Sequence, residues 1–335
     1  MELCLNIRDY LEDPSRPLHH QIDEAVEVAR EASAWGYKAI YCPQHYVSHP
    51  TVWPQPLPVL ARLIPEAPEV KLVTGILLLT YMNPLDVAEQ VATMDQLSGG
   101  RFVLGVGLGY RELELEAFNT NRAERLSRFN ESLEVMKLLW GGEEVNFDGN
   151  YWHIHGARMA ITPMQKPHPP IWFASHSPRA TRRAARAADG CLLGPQTAWE
   201  DISALAAIYW ETREASDHGP AGMLGMHRCV AMSTDRETAA SEARAVGERK
   251  GSMYGGWGMQ ENSVVDLGLD RKRPLDEWTI LGSPSECLEK LARCEEEDRV
   301  QYAGLTFINF PAEHSARMEY LQRFSEEVVR KLPGG

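Results

Sequence analysis

His45 lies in the run AIYCPQHYVSHP, just past an apolar stretch of strand length at Ala39–Pro43. Imidazole can accept and return a proton near neutral pH, so a histidine at a strand end is a candidate acid–base group. Its competing role is that of a structural hydrogen-bonder. A second constellation, Ser175-His176-Ser177-Pro178-Arg179, follows the apolar run Ile171–Ala174. Ser177 suits an N-cap and Pro178 a first helical position. The free N–H groups and dipole of such a helix start suit a phosphate. Gly105-Val106-Gly107-Leu108-Gly109-Tyr110 resembles a dinucleotide turn, but its third glycine comes one residue early and no helix opens at once. The glycines then serve either strand packing or the approach of a flat ring. Tyr10, Trp53, Tyr81, Tyr110, Tyr254 and Trp257 fall in loops where aromatics fit an apolar substrate pocket. His153-x-His155 has no third ligand nearby, so no metal is expected.

These residues need a frame that brings strand ends together. Strand-like runs occur at Leu3–Ile7, Ala39–Pro43, Leu72–Leu79, Phe102–Leu108, Ile171–Ala174, Gly190–Leu193, Met226–Met232 and Gly304–Ile308. Helical patterns alternate with them at Gln21–Trp35, Pro84–Leu97, Ala123–Trp140, Arg179–Ala188, Glu200–Asp217, Arg236–Lys250 and Ser285–Glu297, with a closing helix in Ala312–Leu332. This alternation predicts a single α/β domain over 1–335, a (β/α)8 TIM barrel, which needs about 250 residues. The surplus falls near 141–170, with a hairpin around Asp148-Gly149, and near 251–280, a Gly-, Trp- and Met-rich stretch read as a flap. Barrel enzymes place chemistry at strand C-termini. That rule selects Arg8–Tyr10, Gln44–His49, Thr80–Asn83, Gly107–Arg111, Ser175–Ser177, Gly194–Gln196, Ser233–Asp235 and Asn309–Pro311.

Composition narrows the class. The 335 residues are 44% hydrophobic, enough for a sizeable core. A net charge of −13, from 34 basic and 47 acidic residues, disfavours nucleic acid as a partner. The apolar runs fall well short of the roughly 20 residues that span a bilayer, and no signal peptide is read at the start. Cysteines 4, 42, 191, 229, 287 and 294 are scattered without a Cys-x-x-Cys pair, which fits reduced thiols in a cytoplasmic protein.

The segment VKLVTGILLLTYMNPLDVAEQVATMDQLSGGRFVLGVGLGYRELELEAF reads as one β-α-β unit. It resembles the strand-3 to strand-4 signature of the bacterial luciferase-like family of flavin- or deazaflavin-dependent oxidoreductases. The similarity continues through RFNESLEVMKLLWGGEEVNFDGNYWHI and QKPHPPIWFASHSPRATRRAARAADG, with a weaker echo in LGSPSECLEKL. The resemblance implies reduced FMN bound without a covalent link, O2 as co-substrate, and a small apolar or carbonyl-containing organic substrate. A separate NAD(P)H–flavin reductase and a homodimer are implied with it. Coenzyme F420, used for hydride transfer without O2, is the alternative cofactor, and a flavin-binding protein without catalysis is a second alternative.

By the same resemblance His45 is catalytic, although the family's acid–His–His run stands here as Gln44-His45-Tyr46. Gly75 and Ile76 would join through a non-proline cis peptide behind the cofactor ring, and Gly107, Leu108 and Tyr110 would lie along it. Ser175, His176, Ser177 and Thr181 would surround the phosphate. Leu108 stands where the family pattern has an arginine and His176 where it has an acid, so Thr181 or Arg179 is left to compensate. Tyr10, Trp53, Tyr81 and Trp257 are the expected substrate contacts.

Overall fold

The computed structural model describes residues 1–49, 52–244 and 275–332. Eight parallel strands close into a barrel: β1 (Glu2–Asn6), β2 (Ala39–Cys42), β3 (Lys71–Thr74), β4 (Phe102–Gly107), β5 (Ile171–Ser175), β6 (Gly190–Leu193), β7 (Met223–Met232) and β8 (Tyr302–Phe307). Each pairs with its neighbours, and β8 returns to β1 with Leu3 opposite Ala303. Most strand positions are apolar on both faces because both are covered. Cys4, Tyr41, Val73, Val103, Trp172, Leu192 and Tyr302 fill the lumen. Leu3, Leu5, Ile40, Leu72, Leu104, Ile171 and Phe173 face outward into the helical layer.

The helices start and stop where their caps dictate. Asn83 accepts from Leu85 N at 2.9 Å to open Pro84–Ser98, and Gly99 closes it at φ 65°. Ser283 and Glu286 form a reciprocal capping box on Pro284–Asp298. Two short helices, Pro56–Leu63 and Glu112–Ala117, go beyond the expected set. Each spans about two turns or fewer, too little for a helical period to stand out in sequence.

The apolar run Leu72–Leu79, read as one strand, is divided. β3 ends at Thr74, the Gly75–Ile76 peptide is cis, and Leu77–Leu78 pairs again with Val106–Gly107 of β4. A 3-10 turn, Leu79–Tyr81, follows. The glycines of β4 and the loop after it match this bulge. A Cβ on Gly105 would strike the Thr74 carbonyl, one on Gly107 the Ile76 side chain, and one on Gly109 the Tyr81 ring.

The hairpin in the first surplus segment is present, with Val145–Asp148 antiparallel to His153–Ala157. Glu131, on the helix Arg125–Trp140, accepts from the amides of Asn150, Tyr151 and Trp152 at 2.9, 2.8 and 2.7 Å and so ties the hairpin down. Of the second surplus segment, residues 251–274 lie outside the described residues, and Tyr254 and Trp257 with them. Its end is a 3-10 turn, Leu275–Glu277, and a short strand, Ile280–Gly282, paired with the top of β7. Among the described residues no helix is long and apolar enough to cross a membrane.

Candidate active site

The C-terminal mouth of the barrel holds two polar groups. The first forms around the loop after β2. His45 is 9% exposed, and its Nδ1 lies 3.0 Å from Oε1 of Glu114 on the helix Glu112–Ala117. Glu114 is fully buried, and the same oxygen accepts from Tyr46 N at 2.9 Å and Arg111 Nη1 at 3.1 Å. Arg111 Nη1 also donates to the Tyr46 carbonyl at 2.6 Å. Gln44 crosses to the bulge, where its Oε1 accepts from Leu78 N at 2.7 Å, and its amide donates to Tyr46 Oη and Gln55. The loop, the bulge and the short helix are thereby locked together.

A carboxylate only accepts, so His45 carries its hydrogen on Nδ1 and keeps Nε2 as the basic atom. Burial lowers the His45 pKa below its ordinary value; the hydrogen bond and charge of Glu114 oppose that, while Arg111 and Arg8 add to it. Aromatic edges enclose the ring, Trp53 at 4.6 Å and Tyr110 at 5.7 Å between centroids. The Arg8 guanidinium covers Trp53 at 4.1 Å. Glu114 Oε2 is buried with no hydrogen-bond partner.

The second group surrounds the start of the helix Pro178–Ala187. Ser177 Oγ accepts from Ala180 N at 3.3 Å, the cap its position predicts. Thr181 is fully buried and shares a 2.8 Å hydrogen bond with Ser175 Oγ, so both hydroxyls are engaged with each other. His176 is exposed at the mouth and lies across the bare Cα of Gly194. Lost solvation, then the charge of Arg228, lowers its pKa. Arg125 Nη1 donates to the Gly109 carbonyl at 2.9 Å. Nearby Arg183 is held below its usual pKa by burial, then by Arg179 and Arg125.

The expected residues divide accordingly. His45, Trp53 and Tyr110 share the first group. Tyr81 joins its edge, stacked on Phe118 at 5.4 Å and set against Tyr46 at 6.4 Å. Gly75 and Ile76 form the bulge, with Gly107 beneath Ile76 and Leu108 half-buried against the core. Ser175, His176, Ser177 and Thr181 make the second group. Tyr10 stands apart: it packs on Phe310 at 5.6 Å and His314 at 6.1 Å, under the helix His314–Glu327. Glu114 and Gln44's bridging role escape the sequence reading. Glu112, Glu114 and Glu116 alternate in RELELEAF, and nothing in that pattern marks the middle one for burial. Among the described residues no cluster of three or more His, Cys, Asp or Glu could hold a metal ion.

Comparison with known proteins places this geometry. The sequence profile described as luciferase-like monooxygenase matches residues 8–301. The F420-dependent glucose-6-phosphate dehydrogenase of Gordonia bronchialis is 26% identical over 92% of this chain and 93% of its own. The oxygenase component of the flavin-dependent trigonelline monooxygenase of Acinetobacter baylyi is 29% identical over 50% of this chain and 47% of its own. The fold matches the oxygenating constituent of the 3,6-diketocamphane monooxygenase of Pseudomonas putida, solved with FMN, at a TM-score of 0.81 and 19% identity over 99% of each chain. A family match over most of the chain, on a barrel with these neighbours, settles the assignment: the chain belongs to the luciferase-like monooxygenase family.

Proposed function

We propose that this chain is an oxidoreductase that transfers a hydride between a small organic alcohol or its carbonyl product and coenzyme F420. The observation that carries this reading is the buried His45–Glu114 couple at the barrel mouth, on a chain similar along almost its whole length to an F420-dependent dehydrogenase. Oxidising an alcohol requires removal of the hydroxyl proton as the carbon-bound hydrogen leaves with its electron pair. His45 Nε2 accepts the proton, while Glu114 holds Nδ1–H, fixes the tautomer and stabilises the imidazolium that forms. Trp53 and Tyr110 give the ring apolar walls that keep water from competing for that atom.

The residues present suit such a cofactor. Ile76 on the bulge offers an apolar face for a ring. The start of the helix Pro178–Ala187, with Arg179, Arg183 and Arg125 close by, offers positive charge for a phosphate. The cofactor, when bound, supplies the hydride acceptor. The end-to-end similarity to the F420-dependent dehydrogenase favours the same cofactor.

Reduced FMN with O2 is the second reading. There the protein would oxygenate an apolar or carbonyl substrate and receive reduced flavin from a separate reductase, with His45 handling protons in the same way. Similarity to the trigonelline monooxygenase oxygenase component favours it. The test sets the purified protein against a panel of alcohols with F420 under argon, and against reduced FMN in air. Loss of F420 absorbance under argon is expected. Oxygen-dependent product from reduced FMN, with no turnover of F420, would overturn the first reading.

A further inference from the structure

The end of the barrel opposite His45 carries a cavity of about 430 Å³. It opens among the starts of β3 to β7, between Lys71, Arg101, Trp172, Asp189, Arg213 and Met223. Strand starts in a barrel ordinarily serve stability. The two guanidiniums here have donors left over from that role. Arg101 uses Nη1 alone, on the Ala67 and Val70 carbonyls at 2.8 and 2.5 Å. Arg213 uses Nε on the Ala221 carbonyl at 2.7 Å and Nη1 on those of Ala185 and Ala188 at 3.1 and 2.6 Å. Among the described residues neither arginine forms an ion pair, and Nη2 of each has no hydrogen-bond partner. Arg213 is only 4% exposed, and the surface it keeps lies where it lines the cavity. Burial lowers the Arg101 pKa, and no carboxylate charge acts on it.

The remaining charges fix how much anion the cavity suits. Lys71 Nζ lies 2.8 Å from both oxygens of Glu2, which matches its charge. Asp189 Oδ2 accepts from Ile171 N at 2.8 Å and stands 3.9 Å from His168 Nδ1. Two guanidiniums and one carboxylate leave one net positive charge, on a chain whose formal charge is −13. A single carboxylate suits that balance, because its two oxygens match the fork of a guanidinium. The floor is flat and apolar. Trp172 is buried and packs edge-on against Tyr302 at 4.9 Å between centroids. Gly190 leaves room for this floor: a Cβ there would lie 2.6 Å from the indole and 2.8 Å from the Met223 methyl.

We propose that the N-terminal end of the barrel holds a second binding site, which takes a small aromatic monocarboxylate. Its carboxylate meets the free guanidinium donors of Arg101 and Arg213, and its ring lies on Trp172 and Met223. The cavity falls within the usual range of small-ligand sites, about 300 to 1,000 Å³. The site stands apart from the mouth and is independent of which cofactor is bound there.

The experiment uses the full-length protein labelled with 5-fluorotryptophan and reads the fluorine NMR resonances of its nine tryptophans. Trp172→Phe and Trp53→Phe assign one resonance at each end of the barrel by its disappearance. Benzoate is the probe. It should shift the Trp172 resonance with half-saturation on the order of 1 mM and leave that of Trp53 in place. Benzamide, of the same shape without the charge, should bind about tenfold more weakly. Arg101→Gln should weaken benzoate by about the same factor. Ala221→Phe, on the exposed rim, should close the cavity and abolish the shift. Thermal unfolding checks the fold of both variants. A Trp172 resonance unmoved by about 20 mM benzoate would overturn the site, as would equal binding of benzamide or unchanged affinity in both variants. Movement of the Trp53 resonance at the same concentrations would overturn its independence of the mouth.

Discussion

The two sides of the barrel mouth are built on opposite electrostatic plans. Around His45 the charges balance inside the protein: one carboxylate, one guanidinium and one imidazole share hydrogen bonds of about 3 Å and are tied to backbone atoms of the same loop. Around the helix Pro178–Ala187, Arg179 and Arg125 lie close enough to Arg183 to act on its charge, and among the described residues no ion pair involves Arg179, Arg182, Arg183 or Arg186. The first side holds its imidazole in place from within the protein, as a preorganised proton-handling device must. On the proposed function, proton handling falls to the first side and cofactor binding to the second, so each should fail in its own way when altered.

The sharpest break concerns His45→Ala. Turnover should fall by a factor on the order of 10² to 10⁴, the usual range for a lost acid–base group, while cofactor affinity changes little. Steady-state kinetics beside a binding titration checks this. Unchanged turnover would make the couple structural and dissolve the contrast.

A smaller effect should come from His227, which reaches across the lumen beneath the mouth. Its ring stacks on Tyr41 at 4.4 Å in the space that Gly75 and Gly304 leave open. Burial first, then Arg228 and His176, pushes its pKa from 6.5 down to about 3. The unfolded chain therefore takes up this proton first as pH falls. Stability from the neutral ring is present above about pH 6.5 and lost progressively between there and about pH 3. The linkage amounts to about 2 kcal/mol between pH 7 and pH 5. Urea unfolding at both pH values should show a smaller acid loss for His227→Gln than for the wild type; equal losses would rule this origin out.

The mildest change tests the arginine-rich side. Ser177→Asp can still cap the helix, but its charge opposes a phosphate at the same place. It should weaken cofactor binding roughly tenfold more than Ser177→Ala, about 1.4 kcal/mol. Equal quenching constants for the two variants would remove the phosphate from this loop.

Much of this molecule was legible in its sequence, for identifiable reasons. The eight barrel strands declared themselves because parallel strands buried on both faces leave continuous apolar runs. Ser177-Pro178 and Asn83-Pro84 declared two helix starts because capping chemistry is local. Glu114 did not declare itself, since its importance comes from a contact 69 residues away in the chain. Gln44 stands where the family's run has an acid, yet Glu114 supplies a carboxylate to His45 from another element. Tyr10 was grouped with the mouth aromatics by loop position, but its side chain turns outward onto Phe310. Position along a strand is readable; the direction of a loop side chain is set by packing that no local pattern encodes.

The fit between the β3 bulge and the glycines beyond it bears on how this family can diverge. Ile76 fills the volume a side chain at position 107 would need, and Tyr81 fills that at 109. A larger residue at 107 or 109 therefore needs a smaller one at 76 or 81, trading volume across two strands. A lineage that enlarges residue 107 must first shrink residue 76, the residue proposed to face the cofactor ring. Drift at one point in the barrel wall is thereby coupled to the shape of the binding surface, and the order of permitted substitutions has a direction.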